Sequence, residues 1–129
     1  MTPSLRPGDY VLTDRTSRQL RRGDIVVFEH PDRPAFHLVK RIVGLPGEHL
    51  TIDSGRVLID GVPLSESWTS DDTGPDGTWE LSAGEAFVLG DARSLSAADS
   101  RHIGPVPVER LRVKIVFRYW PPGRFGWVA

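Results

Sequence analysis

The amino-acid sequence predicts an all-β protein, a barrel or folded ribbon built from short strands. Segments rich in β-branched and aromatic residues recur along the whole chain. Between them stand clusters of glycine, proline and aspartate, which are typical of turns. With 129 residues, the chain is long enough for one hydrophobic core and too short for two. We therefore expect a single domain over residues 1–129.

The first strands follow from glycine positions and from alternation. Predicted strands at 9–12 and 24–28 each follow a glycine and carry β-branched or aromatic residues. A long strand over 34–44 comes next, and it ends in the turn Gly44-Leu45-Pro46-Gly47. These three strands and this turn make up the N-terminal part of the predicted fold.

The remaining strands are defined by hairpins. Asp53-Ser54-Gly55 separates predicted strands at 49–52 and 56–59, and Asp60-Gly61 then leads into 62–64 as the strongest hairpin signal in the sequence. Residues 65–78 are polar, so we predict a mobile surface loop there. Two further strands, at 85–89 and 113–119, and one helical turn at 108–111 complete the prediction.

Composition excludes several classes of function. The formal net charge of −1 gives no electrostatic reason to expect a nucleic-acid partner. The absence of cysteine excludes disulfides, thiolate chemistry and zinc–cysteine sites. The four histidines lack metal-ligand spacing, so we expect surface or capping residues there and no metal ligands. No apolar run reaches the roughly 18–20 residues that span a bilayer, and we expect the chain as written to be soluble.

Lys40 occupies an unusual place in the predicted long strand. Alternate residues there are Phe36, Leu38, Lys40 and Ile42, which puts the lysine on an apolar face. Burying an unpaired ammonium group costs several kcal/mol, and desolvation lowers the pKa of a lysine. A neutral amine can act as a general base. The alternative is an edge-strand lysine that carries its charged head into water, and the strand pattern alone leaves both open.

Three segments, taken together, resemble the conserved boxes of the type I signal peptidases, which are serine–lysine dyad proteases. They are Met1-Thr2-Pro3-Ser4-Leu5 with the residues to Leu12, then Lys40-Arg41-Ile42-Val43-Gly44-Leu45-Pro46-Gly47-Glu48, and Gly90-Asp91-Ala92-Arg93 followed by Ser96, Asp99-Ser100-Arg101 and Gly104. The resemblance covers nearly the whole chain. It implies a folded β-ribbon of the kind shared by signal peptidases and SOS repressor cleavage domains. It implies no metal and no cofactor.

The resemblance also assigns roles. It makes Lys40 the general base that takes the proton of an attacking serine hydroxyl. A hydroxyl in the third segment would orient the amine, and Ser96 is the best candidate. The usual spacing has one residue between that serine and the Asp-Ser-Arg run, whereas two alanines intervene here. Either the loop bulges by one residue, or another hydroxyl such as that of Ser94 takes this place.

Charged residues around the dyad are expected to brace it. By the resemblance, Asp99 and Arg101 form a structural ion pair, which Arg41 joins. The substrate would be an extended peptide that adds as a strand between the first segment and the lysine strand. Signal peptides carry small side chains at positions −3 and −1. The residues expected to contact the substrate are Met1, Thr2, Pro3, His37, Leu38 and Val39.

The first segment departs from the family pattern at one position. The nucleophilic serine would stand directly before Met1, and Ser4 occupies the position of the pattern's threonine. We therefore expect the chain as written to be inactive, with the serine and a membrane anchor encoded upstream. One alternative is a peptide-binding homologue without catalysis. Another is a soluble maturation protease of the same fold, but the Gly-Leu-Pro-Gly turn and the Trp-Pro ending favour a signal peptidase.

An anchored enzyme of this family would work at the extracytoplasmic membrane face. Three aromatic residues near the C-terminus, Trp120, Phe125 and Trp127, suit the interface between lipid and water. They are equally suited to capping the core of the barrel. The sequence leaves these two roles open, and a membrane surface stays among the expected partners.

Overall fold

The structure, a computed structural model, describes residues 10–15, 20–96, 98–111, 113–120 and 126–127. For strands 10–15, 113–120 and 126–127, it describes the backbone alone. The strands are β1 (Tyr10–Arg15), β2 (Ile25–His30), β3 (Arg33–Gly44), β4 (His49–Asp53), β5 (Arg56–Ile59), β6 (Val62–Pro63), β7 (Gly77–Glu80), β8 (Glu85–Leu89), β9 (Val106–Pro107), β10 (Val113–Trp120) and β11 (Gly126–Trp127). One helical turn, α1 (Ser100–Ile103), and a 3-10 turn at Val108–Arg110 accompany them.

The strands form two antiparallel sheets. Seven of them make the first sheet, in the order β1-β10-β2-β3-β8-β9 with β11 beside β10. The second sheet has the order β6-β5-β4-β7. The all-β prediction is confirmed. Across the described residues, no helix has the length and apolar character needed to cross a membrane.

Most strands lie where the sequence predicts them, and β8 and β5 match the prediction at both ends. The first predicted strand begins at Tyr10 in the structure, because Asp9 lies outside the described residues. Gly44 belongs to β3, so the turn after that strand starts one residue later than predicted. The prediction missed β7, β9, β11 and α1. These elements have two to four residues each, which is too short to show a period in the sequence.

The Asp60-Gly61 turn explains the hairpin between β5 and β6. Asp60 has a φ of 50° and Gly61 a φ of 82°. A two-residue hairpin turn with both angles positive matches the right-handed twist of the strands, and glycine adopts this conformation at little cost. Asp60 also accepts a hydrogen bond from the backbone N–H of His49 at 2.9 Å, which ties the turn to the start of β4.

Two apolar clusters lie on opposite faces of β8. Ala86 and Val88 belong to the first cluster, and Phe87 and Leu89 belong to the second. Strand β8 is buried on both faces for this reason, and its sequence reads as a continuous apolar run. The first cluster is packed under the seven-stranded sheet, whereas the second joins that sheet to β4 and β5. Lys40 lies on the face of β3 that points to the first cluster.

The segment 65–78, predicted to be a mobile polar loop, divides in the structure. Its last two residues belong to β7, and residues 64–76 connect β6 to β7. Within this connection Thr73 is buried and forms an isolated bridge with Gly55. The loop is polar as predicted and lies against the site described below, while its mobility stays a prediction.

Candidate active site

Lys40 is buried in the second half of β3. It is 9% exposed, and its neighbours on the same face, Leu38 and Ile42, are also buried. Phe36, which has the same parity, is 53% exposed. It lies in the first half of β3, Arg33–His37, which is exposed throughout and extends past the core. Burial of Lys40 argues against a lysine that carries its head into water.

The surroundings of Lys40 favour its neutral form. Desolvation by burial is the largest effect and lowers the pKa of the amine. The negative charge of Asp99 raises this pKa, and the positive charge of Arg101 lowers it. The net result is a Lys40 pKa below the ordinary lysine value. The amine therefore loses its proton more readily than an exposed lysine does.

A chain of hydrogen bonds orients the amine. Lys40 Nζ donates to Ser96 Oγ at 3.0 Å, and Ser96 Oγ donates to Asp99 Oδ2 at 2.9 Å. Arg101 donates to both oxygens of the same carboxylate, from Nε at 3.0 Å and from Nη2 at 2.7 Å. Burial raises the pKa of Asp99, but the bonds and charge of Arg101 outweigh it, so the pKa lies below its usual value. Because Asp99 stays ionised, Ser96 turns its proton toward it and a lone pair toward Lys40.

The backbone takes an uncommon conformation at Ala98, directly before Asp99. Ala98 has a φ of 56°, which is uncommon for a residue with a side chain. Ala97 lies outside the described residues. Ser96 reaches Lys40 in this arrangement, whereas Ser94 is exposed. Of the two expected sources of the orienting hydroxyl, the structure brings Ser96 to the amine.

Arg41 pairs with Asp91, whereas we expected it to join Asp99 and Arg101. Its Nε and Nη2 atoms lie 2.9 Å from the two oxygens of Asp91, in a parallel fork. Nη1 donates to the carbonyl of Gly23 at 2.7 Å. The guanidinium also lies over the ring of Trp68, 5.0 Å from its centroid. This pair ties the start of the loop after β8 to the strand that carries Lys40.

Gly90 leaves the space that Ser96 occupies. A Cβ atom built on Gly90 would lie 2.6 Å from Ser96 Cβ and 3.6 Å from Lys40 Nζ. It would approach Ser96 Oγ still more closely. Real Cβ atoms essentially never show contacts under 3.0 Å. Any side chain at this position therefore displaces Ser96 from the amine.

We expect Gly90→Ala to lower the free energy of unfolding by about 1–3 kcal/mol, because overpacking forces neighbouring atoms to shift. The hydrogen bonds that Ser96 makes to Lys40 and Asp99 should be lost with the shift. Denaturant unfolding measures the change, and Gly84→Ala is the matched control, since a Cβ there meets nothing within 4 Å. Equal stability of the Gly90→Ala protein and the parent would contradict this prediction.

Of the residues expected to contact the substrate, the structure describes His37, Leu38 and Val39. Met1, Thr2 and Pro3 lie outside the described residues. Val39 is partly buried, and His37 is exposed. Strand β8 pairs with β3 only from Arg41 onward, so among the described strands none covers that edge at residues 36–40. The N–H of Ile42 donates to the carbonyl of Asp24, directly before β2, on the side of β3 that pairs with β2. By alternation, the backbones of His37 and Val39 therefore face the uncovered edge.

Several site residues were not predicted as such. Gly90, Asp91 and Arg93 belong to the third segment quoted above but received no role. Glu66 and Trp68 were assigned to a polar surface loop. A tryptophan within that polar stretch is the one signal that pointed to packing. Within the described ranges, no cluster of three or more histidine, cysteine or acidic side chains is arranged to hold a metal ion.

Comparison with known proteins identifies the family of this chain. The family described as "Signal peptidase, peptidase S26" matches residues 1–120. Signal peptidase I of Leptolyngbya laminosa is 36% identical over 140 residues, covering 98% of this chain and 67% of that protein. Mitochondrial inner membrane protease subunit 1 of Xenopus tropicalis is 31% identical, with coverages of 98% and 67%. The chain thus spans about two thirds of the length of these relatives.

A solved structure agrees as well. The crystal structure of a signal peptidase I from Enterococcus faecalis superposes with a TM-score of 0.64 at 29% identity. The match covers 74% of this chain and 96% of that one. The resemblance seen in the sequence is confirmed, and the chain belongs to the S26 family of signal peptidases.

Proposed function

We propose that this domain is the catalytic domain of a signal peptidase that works through a serine–lysine dyad. Lys40 would be the general base, and the nucleophile would be a serine directly before Met1. The observation that carries the proposal is the environment of Lys40. The side chain is buried, its pKa lies below the ordinary lysine value, and its Nζ donates a hydrogen bond of 3.0 Å to Ser96 Oγ. A neutral lysine in this setting can do the work that histidine does in other serine proteases.

The proposed reaction is acyl transfer. The serine oxygen attacks the scissile carbonyl carbon as its proton moves to Lys40 Nζ. The ammonium then protonates the leaving amine, and the acyl group stays on the serine. A water molecule, deprotonated by Lys40, attacks this ester and regenerates the serine. Ser96 and Asp99 keep the amine directed at the serine during both acylation and deacylation.

The proposed substrate is a signal peptide bound in extended form along the uncovered edge of β3. His37 and Val39 would supply backbone hydrogen bonds, as in other cases of β-strand addition. Leu38 would line a shallow pocket suited to a small side chain. Relatives include a mitochondrial inner membrane protease, which supports a membrane surface as the working place of this domain.

The test is a chain that carries serine directly before Met1, assayed on a peptide containing Ala-X-Ala. We expect cleavage after the second alanine, none from a chain that starts at Met1, and none after Lys40→Ala. Lys114→Ala is the matched control, since Lys114 is the chain's other lysine. Cleavage that survives Lys40→Ala overturns the dyad. Binding of the peptide by the serine-bearing chain without cleavage overturns the peptidase and favours a peptide-binding homologue.

The pH dependence of cleavage should follow the protonation of Lys40. Protonated Lys40 cannot accept the serine proton, so kcat/KM should fall about tenfold per pH unit below the Lys40 pKa and level off above it. Since burial lowers this pKa, the bend should lie below the ordinary lysine value. A pH–rate profile measures it. A rate that rises toward acidic pH would contradict a lysine base.

A further inference from the structure

The loop over residues 64–76, here called the covering loop, contacts both segments that build the site. Thr69 Oγ1 donates to the carbonyl of Asp91 at 2.6 Å. The ring of Trp68 lies over the guanidinium of Arg41, the partner of Asp91. The covering loop therefore closes over the join between β3 and the loop that follows β8.

Arg93 is the centre of the second set of contacts. It is 2% exposed, although it lies in the loop after β8. This loop, residues 90–96 and 98–99 of the described chain, is here called the site loop. Arg93 Nε donates to the carbonyl of Gly90 at 2.7 Å, and its Nη1 donates to Thr73 Oγ1 at 2.6 Å. Glu66 pairs with it at 2.5 Å. The backbone N–H of Arg93 donates to Asp71 at 2.9 Å. Three residues of the covering loop thus bind one residue of the site loop.

Glu66 links these two sets of contacts. Its carboxylate neutralises Arg93 and also accepts a hydrogen bond from Trp68 Nε1 at 2.8 Å. A buried guanidinium without a carboxylate partner is costly, so Glu66 is needed to keep Arg93 inside. Through Arg93 it fixes the carbonyl of Gly90, the residue that leaves room for Ser96.

The segment around Ser96 depends largely on polar contacts for its position. Leu95, next to Ser96, is 84% exposed, whereas Ala98 packs against the first apolar cluster. The backbone N–H of Ser96 donates to the carbonyl of Ala92 at 2.8 Å, and Arg93, which follows Ala92, is held by the covering loop. Contacts of the covering loop therefore contribute to fixing the position of Ser96. Catalytic geometry tolerates displacements of only about 0.5 Å, and a misplacement of about 1 Å can cost a hundredfold in rate.

We propose that the covering loop positions Ser96 against Lys40, with Glu66 and Trp68 as its positioning residues. Glu66 acts through Arg93 and Gly90, and Trp68 acts through Glu66 and Arg41. Neither touches the reacting atoms. The kinetic part of this inference rests on the proposed peptidase function, whereas its structural part does not.

The kinetic test replaces Glu66 with glutamine in the chain that carries serine before Met1. We expect kcat to fall about 10- to 100-fold with KM changed less than about threefold, as for a misplaced catalytic group. In a protein that already carries Ser96→Ala, Glu66→Gln should lower kcat by less than about a further twofold, since both changes act through one group. Full additivity, or an unchanged kcat in Glu66→Gln, overturns the proposal. Glu80→Gln, at an exposed position on β7, is the matched control.

A second readout does not depend on peptidase activity. The chain has two lysines, Lys40 and Lys114, so carbon-13 labelling of lysine gives two side-chain signals, and Lys40→Met assigns them. We expect Ser96→Ala to shift the measured Lys40 pKa and Glu66→Gln to shift it in the same direction. Glu80→Gln should leave the Lys40 pKa unchanged. A Lys40 titration that moves in Ser96→Ala but not in Glu66→Gln overturns the positioning role even where no peptide is cleaved.

A more conservative substitution tests the proposal if Glu66→Gln unfolds the protein. Trp68→Phe keeps an aromatic ring over Arg41 but removes the hydrogen bond to Glu66. We expect the same kinetic changes on a smaller scale, with kcat lowered about 3- to 10-fold and KM unchanged. A Trp68→Phe protein with the parent's kcat and the parent's Lys40 titration overturns the part assigned to Trp68.

Discussion

Replacing Lys40 with methionine is expected to reduce peptide cleavage by about a thousandfold or more while leaving the fold intact. General-base catalysis alone contributes about a hundred- to ten-thousandfold, and groups that act as a unit lose most of their effect together. Methionine has a similar length and no charge, so it suits the apolar face between Leu38 and Ile42. The loss of cleavage should therefore come without loss of structure.

The same substitution should not lower stability at neutral pH, and it should change how stability depends on pH. Burial makes the pKa of Lys40 lower in the folded chain than in the unfolded chain. Between these two pKa values the unfolded chain binds more protons, so the parent's stability rises with pH through that window. Below the folded pKa, the parent bears the full cost of a buried charge. The Lys40→Met protein avoids this cost.

Denaturant unfolding at several pH values measures both effects. We expect Lys40→Met to be at least as stable as the parent at pH 7, with its advantage fading as the pH rises toward the ordinary lysine pKa. Lys114→Met is the control for the loss of a lysine elsewhere. A Lys40→Met protein that is less stable than the parent at pH 7 would show that the amine stabilises the native state, contrary to its role as a buried base.

The strand pattern and the motif were sufficient to single out Lys40 and Ser96, which the structure brings together. Alternation along β3 pointed to Lys40, because a charged residue among apolar ones of the same parity stands out in any strand. The third segment pointed to Ser96, and the structure brings its hydroxyl to 3.0 Å from the amine. Most strands were also predictable, since each is a short apolar run bounded by turn residues.

The rest depends on contacts between residues far apart in sequence. Phe36 fits the alternating pattern but is exposed, because β3 extends beyond the core, and no local pattern reports where a core ends. Arg93 and Glu66 are 27 residues apart, and nothing in either segment indicates that they pair. Arg41 was assigned to the wrong carboxylate for the same reason, since two aspartates of one segment were equally available.

Breaking the pair between Arg41 and Asp91 should have the largest effect on stability. Arg41 is 1% exposed and Asp91 is fully buried, and two hydrogen bonds of 2.9 Å join them. Asp91→Asn removes the charge that compensates the guanidinium and leaves it buried. Loss of one partner from such a pair costs about 3–5 kcal/mol. For a chain of this size, that corresponds to a melting temperature lower by about 10–20 °C.

The loss of stability should come from a buried guanidinium that has lost its carboxylate, more than from the loss of an attraction. A double-mutant cycle separates the two contributions. We expect Arg41→Met combined with Asp91→Leu to be less destabilising than the sum of the single changes, because the double variant buries no lone charge. Asp32→Asn, at an exposed position, should stay within about 0.5 kcal/mol of the parent. If Asp91→Asn behaved like Asp32→Asn, the fork would contribute nothing to the fold. The position of Gly90 and Ser96 beside β3 would then come from the pairing of β8 with β3, the hydrogen bonds of Ser96 and the covering loop.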